Sequence, residues 1–422
     1  MKVSLGKSKI EGQIEVPPSK SYTIRALFCA ALANGESEII NPLVCDDTEA
    51  AQEVLRGIGA EINTEQNVWR VRGGNLRCPD GALFCGDSAA TLRFMTAVCA
   101  LLPGECRLVT GPSLSRRPVV TLIDAVKQLG VECFCDGEVA PVVVRGGGMK
   151  GGLAELPGNI SSQYISALLI AAPLAGGKVR IRLTSPPESK SYIWMTMQCM
   201  RRFGITVESS PELMEFTIEP QKYQPARYRV EGDWSSASYF LAMGSLFGNT
   251  VLRNLDPESI QGDRVILDFL KNMGASVERS GDKIKLNRSK LKAIQADLSD
   301  AIDLLPTMAV LAALAEGESN LEGIARARLK ESNRVTAVKA GLEEMGVAVC
   351  EEEDGLTITG TNPKGAIIDS SNDHRIAMAF CIAGLVAGNT VIKGAECVSK
   401  TYPEFWETVK SIGGRVKLVN EQ

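Results

Sequence analysis

The sequence has a single histidine, His374, among its 422 residues. This scarcity excludes histidine-rich zinc sites and makes any Ser-His-Asp triad depend on one residue. The sequence also lacks an apolar run long enough to cross a bilayer, and it has no block of like charge. A net charge of −4 and a pI near 5.5 argue against a general nucleic-acid binder. We therefore expect a soluble globular protein in which any anion is bound by a local cluster of cations.

Disulfide and metal signatures are missing from the cysteines. No CxxC pair occurs among the twelve, and the N-terminus MKVSLGKSKI has no apolar signal core. Most of the cysteines lie inside apolar periodic runs, which favours reduced, buried thiols and a cytoplasmic location. The absence of a transit segment favours a bacterial or archaeal chain over a plastid precursor. The length of 422 residues predicts two domains.

The stretch VPPSKSYTIRALFCAALANGE places a cation at the start of an apolar segment. Pro17 and Pro18 stop any helix upstream, and Ser19 or Ser21 can cap a new one. The run that follows is apolar on nearly every face, which predicts a buried helix. With Lys20 at its N-terminal end, this helix is a candidate anion site.

Two sequence signals recur six times along the chain. One is a glycine at the end of an amphipathic segment, as in LRGIGAEI, VKQLGVEC, MRRFGITV, LKNMGASV, LEEMGVAV and VKSIGGRV. The other is an earlier helix stop with a short alternating strand, as in ANGESEI, LPGECRL, AGGKVRI, FGNTVLR, EGESNLE and AGNTVIK. An apolar, alanine-rich segment precedes each of these. The pattern predicts six repeats of a helix-strand-helix-strand-strand unit, with the strands forming an outer wall around buried helices.

Polar and basic residues occupy the predicted starts of the helices. The apolar helices begin at PSKSYTIR, GDSAATLRF, LPGNISSQ, DWSSAS, DLLPT and NDHRIAM. Several amphipathic helices begin near SLSRRP, PPESKSY, RLKESNR and SKTYPEF. Three buried helices running parallel in each domain would point their partial positive charges the same way. Two such domains facing each other would form a cleft that suits an anionic substrate.

Five motifs, PSKS with its following arginine, LPGNISSQ, RLKESNR, NDHRIAM and SKTYPEF, resemble in their order the signature set of the 5-enolpyruvylshikimate-3-phosphate synthases, which belong to the enolpyruvyl transferases. The resemblance extends over about residues 5 to 420. It implies an α/β fold, a two-domain inside-out α/β barrel with three repeats in each domain. Residues 1–14 with 229–422 would form a discontinuous first domain and residues 15–228 the second, with the active site in the cleft between them.

The resemblance also implies the reaction, a step of chorismate and aromatic amino-acid biosynthesis. An enolpyruvyl group passes from phosphoenolpyruvate to the 5-hydroxyl of shikimate 3-phosphate through a tetrahedral ketal, and phosphate is released. Arginine and lysine at helix starts can bind the phosphates and carboxylates of both substrates without a metal ion. No cofactor, nucleic acid or membrane is expected to take part, and the enzyme is expected to be monomeric.

Motif by motif, the resemblance assigns residues to each substrate. Those for shikimate 3-phosphate are Lys20, Ser21, Arg25, Ser161, Ser162, Gln163, Ser189, Tyr192, Asp303 and Lys330. Those for phosphoenolpyruvate are Lys20, Ala89, Arg117, Gln163, Arg334, Arg375 and Lys400. The implied proton-transfer residues are Asp303, Glu331 and Lys20.

The roles of these three proton-transfer candidates differ. Asp303 suits the substrate hydroxyl because a carboxylate can accept its proton. Glu331 can equally be an orienting ion-pair partner. The donor of a proton to the phosphoenolpyruvate carbon stays open between Glu331 and Lys20.

Two other functions fit parts of the sequence. The sister enzymes that transfer the same group to a UDP-linked N-acetylglucosamine carry a loop cysteine a few residues before an Arg-Pro. Here Cys106 lies ten residues before Arg116, within the alternating run CRLVT that predicts a strand. A non-catalytic anion-binding protein of the same fold is the other alternative. The presence of both Asp303 and Glu331 argues against it.

One motif departs from its commoner form. Where the resembled family more often has glycine, in GNAGT or GNSGT, this chain has Ala89 in GDSAAT. A methyl group there would narrow the space that the herbicide glyphosate occupies in the phosphoenolpyruvate site of that family. We therefore predict low sensitivity to glyphosate.

Overall fold

The structure is a computed structural model and describes residues 1–419. The six apolar segments form helices that are buried along nearly their whole length. They are α1 (Lys20–Leu32), α3 (Ala89–Cys99), α5 (Ser162–Ala171), α7 (Trp234–Phe247), α9 (Leu305–Leu314) and α11 (His374–Ala387). Helices that are apolar on all faces are stable only when surrounded by protein. The prediction of buried repeat helices is confirmed.

The amphipathic segments form the second helix of each repeat. These are α2 (Asp46–Gly57), α4 (Val120–Gln128), α6 (Lys190–Arg202), α8 (Ile266–Asn272), α10 (Arg334–Glu344) and α12 (Phe405–Ser411). The recurring glycine follows each of them with a positive φ, between +80° at Gly346 and +101° at Gly59. Because residues with a β-carbon rarely adopt this backbone, glycine ends each helix at the same point of the repeat.

Short 3-10 helices connect several of the longer elements. They span Leu114–Arg116, Ala172–Leu174, Gly262–Val265, Ile302–Leu304, Ala325–Leu329 and Ala395–Lys400. Four of them overlap or directly precede the polar motifs at helix starts. These four are Leu114–Arg116, Ile302–Leu304, Ala325–Leu329 and Ala395–Lys400. In residues 1–419, no helix has both the length and the apolar character that crossing a membrane requires.

The strands of residues 1–419 form six four-stranded sheets. The first twelve are β1 (Lys2–Gly6), β2 (Gly12–Glu15), β3 (Gly35–Ile40), β4 (Glu61–Glu65), β5 (Val68–Gly73), β6 (Leu83–Phe84), β7 (Gly104–Val109), β8 (Glu132–Asp136), β9 (Val139–Gly146), β10 (Gly152–Leu156), β11 (Val179–Leu183) and β12 (Glu208–Ser209). The others are β13 (Glu215–Ile218), β14 (Arg227–Arg229), β15 (Thr250–Arg253), β16 (Ser276–Ser280), β17 (Lys283–Asn287), β18 (Gln295–Asp297), β19 (Glu318–Glu322), β20 (Ala348–Glu351), β21 (Gly355–Thr359), β22 (Ile367–Asp369), β23 (Thr390–Lys393) and β24 (Arg415–Val419).

Each sheet repeats one pairing scheme. The strand orders are β14-β3-β5-β4, β6-β7-β9-β8, β10-β11-β13-β12, β16-β17-β15-β2, β18-β19-β21-β20 and β22-β23-β1-β24. In every sheet one edge strand is parallel to its neighbour and the other pairs are antiparallel, as in β6 with β7, where Leu83 pairs with Leu108. The sequence predicted three strands per repeat, and the structure has this fourth one. Segments such as Leu83–Phe84 are too short for alternation to reveal them.

Residues 1–419 divide into two compact units, each with its own apolar core. Unit 1 contains Met1–Pro17 and the segment that begins at Gly232, and unit 2 is Pro18–Glu231. Both chain crossings fall three residues later than the positions 14 and 228 that we expected. Val16 N still donates to Arg253 O in unit 1, at 3.2 Å. Likewise, Val230 N donates to Ile40 O in unit 2, at 2.9 Å.

All twelve cysteines lie in the described part of the chain as free thiols. Nine are buried, while Cys78 and Cys135 are partly exposed and Cys350 is exposed. The expectation of buried thiols therefore holds for most of them. Cys106 lies in β7, as the alternation of its neighbours predicted.

Candidate active site

Arg334, the first residue of α10, bonds three carboxylates while its side chain is only 1% exposed. Its Nη1 lies 2.7 Å from Asp303 Oδ1, and its Nη2 lies 2.7 Å from Glu331 Oε2. Its Nε lies 2.8 Å from Asp373 Oδ2. Asn333 caps the helix and fixes where the arginine leaves the backbone. A guanidinium has enough donors in one plane to hold all three groups together.

Asp303 receives three cations. Besides Arg334, Arg375 Nη2 lies 3.0 Å from its Oδ2 and Lys330 Nζ lies 3.4 Å from its Oδ1. Burial alone would raise the pKa of Asp303, but Arg375, Lys330 and Arg334 together hold it well below its usual range. The carboxylate is therefore ionised at neutral pH.

A second lysine, Lys400, contacts Glu331, which Arg334 also contacts. Lys400 Nζ lies 3.6 Å from Glu331 Oε1, whose other oxygen contacts Arg334. Burial lowers the pKa of Lys330 to about 8, although the charge of Asp303 acts in the opposite direction. Four cations thus contact three carboxylates of this cluster in unit 1.

The start of α11 supplies further members of this cluster. Asp373 is its N-cap and accepts from Arg375 N at 2.9 Å. Arg375 Nη1 also lies 3.5 Å from the hydroxyl of Tyr239 on α7. Burial raises the pKa of Tyr239 to about 12, so the phenol stays protonated. The single histidine, His374, is buried beside Asp373, with its Nδ1 3.7 Å from Asp373 Oδ1.

Asp263 lies near this cluster and was absent from the sequence-based set. It belongs to the 3-10 helix Gly262–Val265 and is 3% exposed. Its Oδ2 accepts from Ser235 Oγ at the start of α7, while Oδ1 has no hydrogen-bond partner within residues 1–419. Burial, with the charge of Asp303, raises the pKa of Asp263 to about 6. Asp263 lies directly before α8, a helix start at which the sequence analysis named no candidate residue.

In unit 2, the opening motif forms the start of α1 as predicted. Ser19 caps the helix, since its Oγ accepts from Tyr22 N at 3.4 Å. Lys20 Nζ lies 2.7 Å from Asp47 Oδ2, and Asp47 is buried in the first turn of α2. The cation at the mouth of this helix is therefore oriented by an acid from the next helix. Ser21, which we considered as a cap, is instead the second residue of α1.

Arg25 lies one turn further along α1 and is 2% exposed. Its Nε donates to Thr196 Oγ1 at 2.8 Å, and its Nη2 donates to Tyr192 O at 3.2 Å. The guanidinium also lies over the Tyr192 ring, 5.7 Å from its centre. Burial lowers the pKa of Arg25 from its ordinary value. These contacts hold Arg25 rigidly beside the start of α6, where Ser189 is the N-cap.

The start of α5 is joined to α3 by an arginine that sequence reasoning missed. Arg93 Nη1 donates to Gln163 Oε1 at 2.6 Å and to Ser161 Oγ at 3.2 Å. Ser161 is the N-cap of α5, and Ser162, its first residue, is buried. Arg93 belongs to the motif GDSAATLRF, and an arginine one turn into a buried helix was the signal that could have revealed it.

Ala89 and Arg117 lie beside two segments that are joined by a hydrogen bond. Ala89 is the first residue of α3 and is 6% exposed. The preceding Asp87 accepts from Leu114 N at 2.9 Å, which ties the segment before Arg117 to the start of α3. Arg117 is buried.

The predicted site residues therefore fall into two groups, one in each unit. The unit 1 group is connected by ion pairs and contains Asp303, Lys330, Glu331, Arg334, Arg375 and Lys400. The unit 2 group lies at or near the starts of α1, α3, α5 and α6, with Arg117 at the start of the segment leading into α4. Among residues 1–419, no three His, Cys, Asp or Glu side chains are arranged to hold a metal ion.

Comparison with known proteins gives a consistent result. A family model described as EPSP synthase (3-phosphoshikimate 1-carboxyvinyltransferase) matches residues 5–409. The chain is 53% identical over 418 residues to a 3-phosphoshikimate 1-carboxyvinyltransferase of Dehalococcoides mccartyi, with 99% of each chain covered. It is 40% identical over 420 residues to the enzyme of the same name from Methanocaldococcus jannaschii, with 97% of each covered.

Solved structures show the same fold. An EPSP synthase from Acinetobacter baumannii superposes with a TM-score of 0.83 at 27% identity, covering 99% of this chain and 100% of that one. The enolpyruvyl transferase NikO from Streptomyces tendae gives a TM-score of 0.81 over 100% and 99% of the two chains, and at 16% identity it supports the fold alone. Since the family model and these relatives cover almost the whole chain, the chain belongs to the EPSP synthase family.

Proposed function

We propose that this protein transfers the enolpyruvyl group of phosphoenolpyruvate to the 5-hydroxyl of shikimate 3-phosphate and releases phosphate. The observation that carries the proposal is the environment of Asp303, an ionised carboxylate in contact with Lys330, Arg334 and Arg375. A base and three cations in one place suit a reaction in which an alcohol loses a proton beside phosphate and carboxylate groups. The product belongs to chorismate and aromatic amino-acid biosynthesis.

Shikimate 3-phosphate is assigned mainly to unit 2. Lys20 and Arg25 supply cationic donors, and a phosphate or carboxylate oxygen accepts from them more strongly than a neutral group does. The hydroxyl and amide donors around it are Ser21, Ser161, Ser162, Gln163, Ser189 and Tyr192. Asp303 and Lys330 of unit 1 are assigned to the same substrate. Arg93 orients Ser161 and Gln163, so it acts as a positioning residue.

Phosphoenolpyruvate is assigned to cations from both groups, Lys20, Arg117, Arg334, Arg375 and Lys400, together with Gln163 and the backbone at Ala89. Before substrate arrives, Arg334, Arg375 and Lys400 are held by Asp303 and Glu331. Binding of a highly charged anion draws these cations away from the carboxylates. The substrate thus replaces one set of ionic contacts by another, and no metal ion is needed to neutralise it.

This exchange changes what Asp303 can do. Three cations make it a weak base in the unoccupied enzyme, because they hold its pKa well below the usual range. When substrate anions share Arg375, Lys330 and Arg334, the stabilisation of the Asp303 carboxylate decreases and its basicity increases. Asp303 then accepts the proton of the 5-hydroxyl as the oxygen attacks C2 of phosphoenolpyruvate.

The carbon C3 of phosphoenolpyruvate must gain a proton in the addition step and lose it in the elimination step. Glu331 and Lys20 are the two candidates for this role. Glu331 contacts Lys400 and Arg334 and is 10% exposed. Lys20 has a neighbouring carboxylate, Asp47, that can orient its ammonium group. Either residue returns to its starting charge once phosphate leaves.

An assay of phosphate release tests the proposed function. The purified protein is incubated with phosphoenolpyruvate and either shikimate 3-phosphate or UDP-N-acetylglucosamine. We expect release with shikimate 3-phosphate only, and its loss in Asp303→Asn. Release with the UDP-sugar alone would assign the sister activity. Binding of shikimate 3-phosphate without any turnover would assign a non-catalytic anion-binding role.

Three further properties follow as parts of this proposal. The first is that the enzyme is a monomer. Free, mostly buried thiols and small phosphorylated substrates support a cytoplasmic location. The methyl group of Ala89 supports low sensitivity to glyphosate.

A further inference from the structure

Two cysteine sulfurs in unit 2 lie close together, and neither residue is assigned to a substrate. Cys78 Sγ is 4.0 Å from Cys106 Sγ. Cys78 belongs to the segment that joins β5 to β6, and Cys106 lies in the middle of β7. The two residues therefore come from a connecting segment and from a central strand of the next sheet.

A glycine in β7 allows the two sulfurs to lie this close together. Cys78 Sγ lies 3.2 Å from the carbonyl oxygen of Glu105, next to Cys106 in the same strand. A β-carbon placed on Gly104 would come within 2.8 Å of Cys78 Sγ. Because residue 104 is glycine, the Cys78 side chain can lie against β7 and reach Cys106.

The two sulfurs differ in their access to solvent. Cys78 is partly exposed, whereas Cys106 is 0% exposed. A small reagent therefore reaches Cys78 first. Cys106 can then react with the Cys78 sulfur once that sulfur is part of a mixed disulfide.

A third thiol, that of Cys99, changes the pKa of the buried Cys106 thiol. The Cys99 thiol on α3 donates a hydrogen bond that holds the pKa of Cys106 below its usual range, although burial acts in the opposite direction. The pKa of Cys99 itself is raised by the same hydrogen bond and by burial. The anionic form of Cys106 is thus favoured relative to its neighbours, and the thiolate is the form that attacks disulfides.

We propose that Cys78 and Cys106 form an intrachain disulfide when the protein meets a small-molecule disulfide such as oxidised glutathione. In the first step the Cys78 thiolate attacks one glutathione sulfur, and one glutathione thiolate leaves. In the second step the Cys106 thiolate attacks Cys78 Sγ, and the second glutathione thiolate leaves and takes up a proton. The chain loses two thiol hydrogens, and one external disulfide is reduced to two thiols.

The movement that the bond requires is small. The sulfurs must approach from 4.0 Å to a bond length of about 2 Å. Cys78 lies outside the hydrogen-bonded sheet, so rotation of its side chain and a shift of its segment can supply this displacement. The strand that holds Cys106 need not move.

The test treats the full-length protein with oxidised glutathione, blocks the remaining thiols by alkylation and measures intact mass without reduction. We expect a product in which Cys78 and Cys106 have lost their thiols, carry no glutathione and yield a joined peptide pair. Cys106→Ser should stop at the first step, with one glutathione attached to Cys78. Cys78→Ser should form neither product.

Cys135→Ser is the matched control, because Cys135 is also partly exposed and lies in β8 of the same sheet. It should react as the unmodified protein does. Cys106→Ala, with folding checked by circular dichroism, replaces Cys106→Ser if the serine variant does not fold. A disulfide that uses Cys99, glutathione that remains on Cys78 of the unmodified protein, or no reaction at Cys78 would each overturn the proposal.

Discussion

Arg334 and Asp373 form a charge pair that is sealed from solvent, with Nε 2.8 Å from Oδ2 and side-chain exposures of 1% and 0%. The arginine comes from the start of α10 and the aspartate from the cap of α11. The same guanidinium also holds Asp303 and Glu331. One side chain therefore fixes the relative position of three acids, two of which are candidates for proton transfer.

We predict that Arg334→Ala destabilises the protein as well as inactivating it. Removal of the cation leaves the buried Asp373 without its arginine, and breaking a buried ion pair in this way typically costs about 3–5 kcal/mol of unfolding free energy. Arg279→Ala, on the exposed strand β16, is the control and should stay within about 0.5 kcal/mol. Denaturant unfolding measures both. A loss equal to that of the control would show that Arg334 does not organise the cluster.

Lys20→Ala should keep its fold and lose turnover by at least about a hundredfold, or about 2.7 kcal/mol of transition-state stabilisation. The reason is the loss of a charge-assisted contact to an anion at the start of α1. Steady-state kinetics with both substrates measures the effect, and Lys283→Ala, an exposed lysine of β17, is the control. Near-normal activity in a folded Lys20→Ala protein would remove Lys20 from the site.

Asp263 provides a stability prediction with a defined pH dependence. Burial and Asp303 raise its pKa from 3.8 to about 6, so the folded protein holds this proton more tightly than the unfolded chain does. That stabilisation is complete below pH 3.8 and is lost as pH rises through about 6. At pH 7 to 8 the ionised group therefore costs about 3 kcal/mol.

Asp263→Asn should remove this cost, because the amide oxygen can still accept from Ser235 without carrying a charge. Its unfolding free energy should exceed that of the unmodified protein at pH 8, and the difference should shrink towards pH 4. Urea titrations across this range measure it. A difference that does not vary with pH would mean that Asp263 does not titrate between those limits.

From the lowered pKa of Lys330 we predict that substrate affinity changes above neutral pH. Burial lowers its pKa to about 8, so the free enzyme loses this charge as pH rises above that value. The dissociation constant of shikimate 3-phosphate should therefore increase above pH 8, by up to about tenfold per pH unit where the proton is required. In Lys330→Arg the charge persists and the increase should be weaker. Calorimetric titrations at several pH values would contradict this if both proteins weakened equally.

Ala89→Gly should increase inhibition by glyphosate while the enzyme stays active. Removing a misplaced methyl group is worth about 1–3 kcal/mol by analogy with overpacking, or about five- to hundredfold in affinity. The smaller substrate phosphoenolpyruvate should be affected less. Inhibition measured against phosphoenolpyruvate for both proteins decides the matter. Equal, strong inhibition of both would exclude the steric explanation.

Much of the architecture could be predicted because each repeat has its own residues that end a helix. Gly59, Gly346 and their counterparts end the second helices, and these glycines stand out in any comparison of the chain with itself. The buried helices were predictable because they are apolar on every face. The fourth strand of each sheet was not, because segments such as Leu83–Phe84 are defined by long-range pairing rather than by their own pattern.

The candidate site also has residues that the sequence could predict and residues that it could not. Lys20, Arg334 and Arg375 occupy helix starts, where the repeat marks them. Asp47 and Arg93 act through side chains of neighbouring helices, and their partners could be identified only once the helices were packed together. The raised pKa of Asp263 has no sequence signature, since it depends on burial in the folded unit.

The hydrogen bonds at the two chain crossings have a consequence for how the polypeptide can be cut and rejoined. Pro17 O accepts from Asp233 N, and Glu231 O accepts from Ser19 N, each at 2.8 Å, so both ends of the inserted segment adjoin one another. Strands β1 and β24 are neighbours as well, because Lys2 pairs with Val419 in one sheet. A break introduced at either crossing, with β24 connected to β1 by a short linker, should therefore leave all six sheets intact.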